Sequence, residues 1–141
     1  MNGRKSANPH WSPDGNSIVF ENGGDIFTIP ATGGTTPCPV TSGGGAKRPV
    51  WGTLQGVGTI AFIKNGDVHT VVVPSSGVCS TFTITPITTP ETETAVAWVS
   101  SMLAVVRKNG TGSTLALVDP RTGNIVTTLA TSNSTITDVD W

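Results

Sequence analysis

Two histidines, two cysteines and nine carboxylates are all that this chain offers for metal, thiol or acid–base chemistry. His10 and His69 stand far apart, and neither has a third ligand close by in the pattern that a zinc or transition-metal site requires. Cys38 and Cys79 form no C-x-x-C pair and have no adjacent histidine, so they read as idle thiols; two cysteines alone leave their pairing open. Asp14, Asp25, Asp67 and Asp119 sit beside Gly or Pro, where an acid caps a turn. Glu91 and Glu93 alternate, which suits a solvated loop or the mouth of a funnel. There is no G-x-S-x-G nucleophile elbow and no Walker-type phosphate loop. "TSGGGAKRP", from Thr41 to Pro49, is Gly-rich and basic but reads as a connecting loop. The expected catalytic, metal and cofactor sets are therefore empty.

Composition restricts what can position these groups. Only 12% of residues are charged, Tyr is absent, and Gly, Pro, Ser and Thr are abundant. Long amphipathic helices need Leu, Glu, Lys and Arg that this chain does not supply, whereas short strands joined by Gly/Pro/Asn turns fit. The net charge of −1 with scattered basic residues predicts no nucleic-acid partner. No apolar run approaches the roughly 18 residues that span a bilayer, and the basic start "MNGRKSANPHW" lacks an apolar signal core.

The four tryptophans supply the order. Trp11, Trp51, Trp98 and Trp141 close the segments "SANPHW", "AKRPVW", "ETAVAW" and "ITDVDW", spaced 40, 47 and 43 residues apart. After each of the first three comes an apolar run ("SIVF", "GTIAF", "MLAVV") and a polar turn. A second apolar run follows ("IFTIP", "VHTVVV", "TLALVD"), then a Gly-containing turn and a Thr-rich extended segment. That is four strands per unit with a period in the low forties. Such a meander cannot stand alone, but stacked about an axis it makes a β-propeller with the tryptophan strand innermost. The expected blades are about 8–42, 47–90 and 95–131, with an extra inner strand at 135–141, in one domain 1–141.

"PHWSPDGNSIVFENGGDIFTIPATGG" also resembles the repeat of the TolB-type, or PD40 (WD40-like), propellers. Pro9, Trp11, Ser12, Pro13, Asp14, Gly15, Ile18, Phe20, Asp25, Ile26, Phe27, Gly33 and Gly34 carry the match. The second unit keeps Pro49, Trp51, Ile60, Phe62, Gly66, Asp67 and Val68, and the third keeps Trp98. The resemblance implies a propeller that binds protein partners rather than one that catalyses. It also implies a periplasmic or extracellular setting, although the chain shows no signal peptide.

Three blades leave two apolar end faces, so the sequence predicts a homodimer of three plus three blades. Ile136, Asp138, Val139, Asp140 and Trp141 repeat the inner-strand pattern and are expected to pair along the partner's first blade. The entrances of the inner strands place His10, Lys47, Arg48, Glu93 and Asp138 as the candidate axial pocket, whose mixed charge suits a peptide or a polar small molecule. The leading expectation is a non-enzymatic scaffold or binding module for protein or peptide partners. The alternatives are a lyase or hydrolase using the axial pocket, a minimal half-propeller whose property is assembly, and a fragment of a longer TolB-like or peptidase-associated propeller.

Overall fold

The computed structural model describes residues 5–34, 36–73, 79, 82–88 and 92–140. Among them are twelve strands and no helix, grouped as three four-stranded antiparallel sheets in simple chain order. Blade 1 contains β1 (Ser6–Trp11), β2 (Ser17–Asn22), β3 (Asp25–Pro30) and β4 (Cys38–Pro39). Blade 2 contains β5 (Ala46–Leu54), β6 (Val57–Lys64), β7 (Asp67–Val72) and β8 (Ile84–Pro86). Blade 3 contains β9 (Glu93–Val99), β10 (Met102–Asn109), β11 (Gly112–Val118) and β12 (Ile125–Ser132).

Turn chemistry sets the hairpins. In "SPDG", Ser12 Oγ donates to Asp14 Oδ1 at 2.5 Å and the Asn16 N–H donates to the same oxygen at 3.0 Å. These bonds hold the Asp14 carboxyl below the ordinary carboxylate value, so the residue caps the turn as its position suggested. Gly15 takes φ 73°, a conformation that costs an L side chain free energy.

Period-two alternation then gives every blade two apolar faces. In β6, Ile60 and Phe62 point one way, into a core shared with Val19, Ile26 and Val40 of blade 1. Ala61 and Ile63 point the other way, into a core with Val96, Leu103, Val105, Ala116 and Val118 of blade 3. Blade 2 thus has a front, packed on the blade before it, and a back, packed on the blade after it, and the same two faces can be named in blades 1 and 3. The ladders make the fronts equivalent. Ile18, Phe20, Phe27 and Ile29 hold in blade 1 the positions of Ile60, Phe62, His69 and Val71 in blade 2. Even the ring pair repeats: Phe20 and Phe27 stack at 6.0 Å, Phe62 and His69 at 5.8 Å. No blade packs on the blade 1 front among the described residues, and Trp11 is 57% exposed where its counterpart Trp51 is 5%.

A threonine lock recurs where the chain leaves each of the first two blades. Thr41 Oγ1 accepts the Ile26 N–H and donates to Asp25 Oδ1, both at 2.9 Å. Thr88 Oγ1 accepts the Val68 N–H and donates to Glu93 Oε2, again at 2.9 Å. Five residues beyond each threonine the chain starts the next inner strand with a backbone bond to the preceding hairpin: Ala46 N to Gly24 O (2.9 Å) and Glu93 N to Gly66 O (2.7 Å).

Two features differ from the sequence expectation. Cys38 and Cys79 are joined in a disulfide with Cα atoms 5.5 Å apart, so they are not idle thiols; the bond staples β4 of blade 1 to the stretch between β7 and β8 of blade 2. Residues 135–140 form no ladder, although a strand was expected at 135–141. They do dock where an inner strand belongs. The Ile136 N–H donates to Ser113 Oγ at 3.1 Å, and Ile136 and Ser113 correspond to Ala46 and Gly24 in the repeat. Trp141 and Glu91 lie outside the described residues.

Candidate functional site

The inner strands share a second device, a bulge just before each proline. The register of β1 on β2 shifts between Ala7 and His10, and that of β5 on β6 between Lys47 and Val50. Asn8 (φ 50°) and Arg48 (φ 53°) occupy the left-handed region there, ahead of Pro9 and Pro49. Glu21 of β2 holds both bulges. Its Oε2 accepts the Asn8 side-chain amide at 2.9 Å and the Arg48 backbone N–H at 2.7 Å. A bulge re-aims a side chain out of the regular alternation, and here it swings Arg48 toward the C-terminal segment. Arg48 Nη1 donates to Thr137 O at 3.1 Å and pairs with Asp138 Oδ1 at 3.3 Å.

These groups border a cavity of about 170 Å³. It is lined by the same repeat positions from each unit: Asn8, Pro9 and His10; Arg48, Pro49 and Val50; Val96; and Asp138, Val139 and Asp140. Nδ1 of His10 lies 3.3 Å from the Trp51 N–H and 3.0 Å from Trp11 O, so the position of the ring proton decides which of the two it bonds.

Of the five residues read from the sequence as an axial pocket, His10, Arg48 and Asp138 line this cavity. Lys47 and Glu93 are not among its lining residues. Lys47 is exposed and pairs with Ile63 in the β5–β6 ladder. Glu93 is 1% exposed at the junction of blades 2 and 3, bonded to Thr88, with Arg107 Nε 2.9 Å from its Oε1 as an ion pair without hydrogen-bond alignment. The bulge accounts for the misplacement of Lys47. Glu93 sits at the very start of β9, where the lock draws it inward.

Burial pushes the Glu93 carboxyl up, against the opposing pull of Thr88 and Arg107. The folded chain therefore keeps that proton to a higher pH than the unfolded chain does. Stability from it is fully present below the unfolded value and is lost as pH rises through the folded value. Denaturation of wild type and Glu93→Gln between pH 4 and 7 is expected to show the variant gaining on wild type as pH increases. A difference that stays flat or moves the other way contradicts this assignment.

Two larger grooves lie elsewhere, one of about 320 Å³ beside Asp14 and Trp51, one of about 330 Å³ beside Thr70 and Arg121. Their charged groups are already committed. Asp14 holds its turn, and Arg121 donates twice to Asp119, whose carboxyl it brings down to about 2. No group of three or more His, Cys, Asp or Glu among the described residues could hold a metal ion. No helix among them is long and apolar enough to cross a membrane.

No model of a known protein family matches this sequence, and no curated protein matches it. Solved structures do. The β-propeller domain of Cps50 (Swd1) from Myceliophteria thermophila superposes with a TM-score of 0.64 over 98% of this chain, at 12% identity. The fold is that of a β-propeller. A TolB from Agrobacterium tumefaciens (TM-score 0.62, 18% identity, 90% of this chain) and TolB from Acinetobacter baumannii (0.58, 20%, 91%) agree. The propeller described here spans 47%, 46% and 33% of the length of those three chains.

Thr41, Thr88, Glu21, Asn8 and Val96 were not picked out as site or junction residues from sequence alone. The threonines carry a readable signal: Thr41, Thr88 and Thr131 each stand ten residues ahead of a tryptophan. Glu21 has none, because its role depends on two bulges in different blades.

Proposed function

We propose that this propeller is a non-enzymatic binding module for protein or peptide partners, which it holds at the axial cavity, and that it works as a homo-oligomer. The observation that carries the reading is Arg48, aimed by its bulge at a backbone carbonyl and a carboxylate, Thr137 O and Asp138 Oδ1, at the wall of the cavity. Those two acceptors are what an extended acidic peptide would offer. Asp138 is largely exposed and Arg48 partly so, which makes their ion pair weak and open to exchange for a ligand's carboxylate.

A panel of fluorescent extended peptides, acidic, neutral and basic, tests this. The acidic members are expected to bind, and Arg48→Gln is expected to weaken them at least tenfold, about 1.4 kcal/mol. Equal retention of basic and acidic peptides, or indifference to Arg48→Gln, contradicts the reading.

The oligomer we propose is a ring of three plus three blades. Ile136, Asp138, Val139, Asp140 and Trp141 would pair along the first blade of the neighbouring copy, exchanging with its β1, which otherwise holds the place beside β2. The half-buried apolar row on the front of blade 1 supports this closure. The Cys38–Cys79 disulfide supports an oxidising compartment, periplasmic or extracellular, because such bonds persist there and not in a reducing cytosol.

A further inference from the structure

The proposed homo-oligomer leaves open which surfaces meet, and the repeat geometry answers that. We infer that the front of blade 1 receives the back of blade 3 from a second copy, an inference that rests on the homo-oligomer reading and not on the ligand reading. Both junctions inside the chain are front-to-back. On the front side each uses the four positions held in blade 2 by Ile60, Phe62, His69 and Val71, and in blade 3 by Leu103, Val105, Ala116 and Val118. Blade 1 presents Ile18, Phe20, Phe27 and Ile29 there, all half-buried, with no blade against them among the described residues. A front this apolar would not be matched by a charged partner.

The complementary surface is on the page as well. The backs of blades 1 and 2 are built on Val19, Ile26, Ala61, Ile63 and Val68. Ala104, Val106, Leu115 and Leu117 of blade 3 hold the ladder positions of Val19, Glu21, Ile26 and Thr28 in blade 1 and of Ala61, Ile63, Val68 and Thr70 in blade 2. In blade 3 all four are apolar, Ala104 and Val106 buried and both leucines half-buried. One front and one back per chain make a head-to-tail contact, and two chains close it by a two-fold axis along the propeller axis, giving two equivalent junctions. The Ile136–Asp140 segment docks at the hairpin end of blade 3, on Ser113.

Front-to-back contact predicts a mixing result that no front-to-front or back-to-back dimer can give. Light scattering of wild type is expected to return a two-chain mass. Phe27→Glu spoils only the front and Leu117→Glu only the back, so each alone should return a single-chain mass with an unchanged strand-type circular dichroism spectrum. Mixed together they should recover a two-chain mass, since one variant keeps an intact back and the other an intact front. Trp11→Glu, on a ring already 57% exposed, serves as the front variant if Phe27→Glu does not fold. A single-chain mass for wild type overturns the inference, as does a front variant that stays two-chain or a mixture that stays single-chain. Loss of peptide binding in Arg48→Gln without a change of mass bears on the ligand reading alone.

Discussion

Reducing the Cys38–Cys79 bond is expected to lower the unfolding free energy by about 4 kcal/mol, from the loop-closure entropy of a 41-residue separation. The chain-entropy model behind that figure attributes the effect to the unfolded ensemble, which a cross-link of this span restricts. The folded state adds a local reason. Strand β4 has only the two residues Cys38 and Pro39, too few for a ladder to hold the outer edge of blade 1 unaided. Urea denaturation of the oxidised chain, the reduced chain and Cys38→Ser/Cys79→Ser should place both thiol-free states together and well below the oxidised one. A gap under 1 kcal/mol shows that the staple constrains nothing.

The second large effect is expected at the junction of blades 2 and 3, where the Trp98 ring lies on Gly52. A Cβ built at Gly52 would come 2.3 Å from Cγ of Trp98 and 2.5 Å from Cδ1 and Cδ2, positions near the root of the ring that no rotation of a side-chain tip relieves. Trp98 Nε1 also donates to Val50 O at 3.2 Å, so the indole is held from both ends. Trp98→Ala should cost about 3–5 kcal/mol through lost packing and the bond to Val50. Gly52→Ala should cost about 1–3 kcal/mol by overpacking. Together they should cost clearly less than the sum, because the alanine methyl at 52 enters space the ring has left. Additive losses in this double-mutant cycle would show that the two residues do not oppose each other.

Much of the architecture was readable because tryptophan, turn and apolar-run positions recur together, and each reflects a local demand: a φ preset by Pro13, a positive φ at Gly15, alternation through "SIVF" and "DIFTIP". The cavity lined by Arg48 was half legible. His10, Arg48 and Asp138 follow from counting back from the tryptophans, since inner strands must face the axis. Lys47 and Glu93 did not follow that count, because a bulge changes which residue of β5 turns inward and because Thr88 and Arg107 draw Glu93 into the interface. The disulfide was invisible for a different reason: its partners lie in separate repeats, and spacing within one repeat says nothing about what meets across the gap.

The unequal cover on the tryptophan strands has a consequence for time rather than shape. Blade 2 lies between two neighbours, and Phe62, Ile63 and Val68 have no exposed surface, whereas Trp11 is open to water. Because each blade leans only on those beside it, a single chain should begin to breathe at β1 and reach the middle sheet last. In deuterated solvent the amides of β6 should outlast those of β1 by the widest margin in the single-chain variant Phe27→Glu, and closure of the ring should narrow that margin.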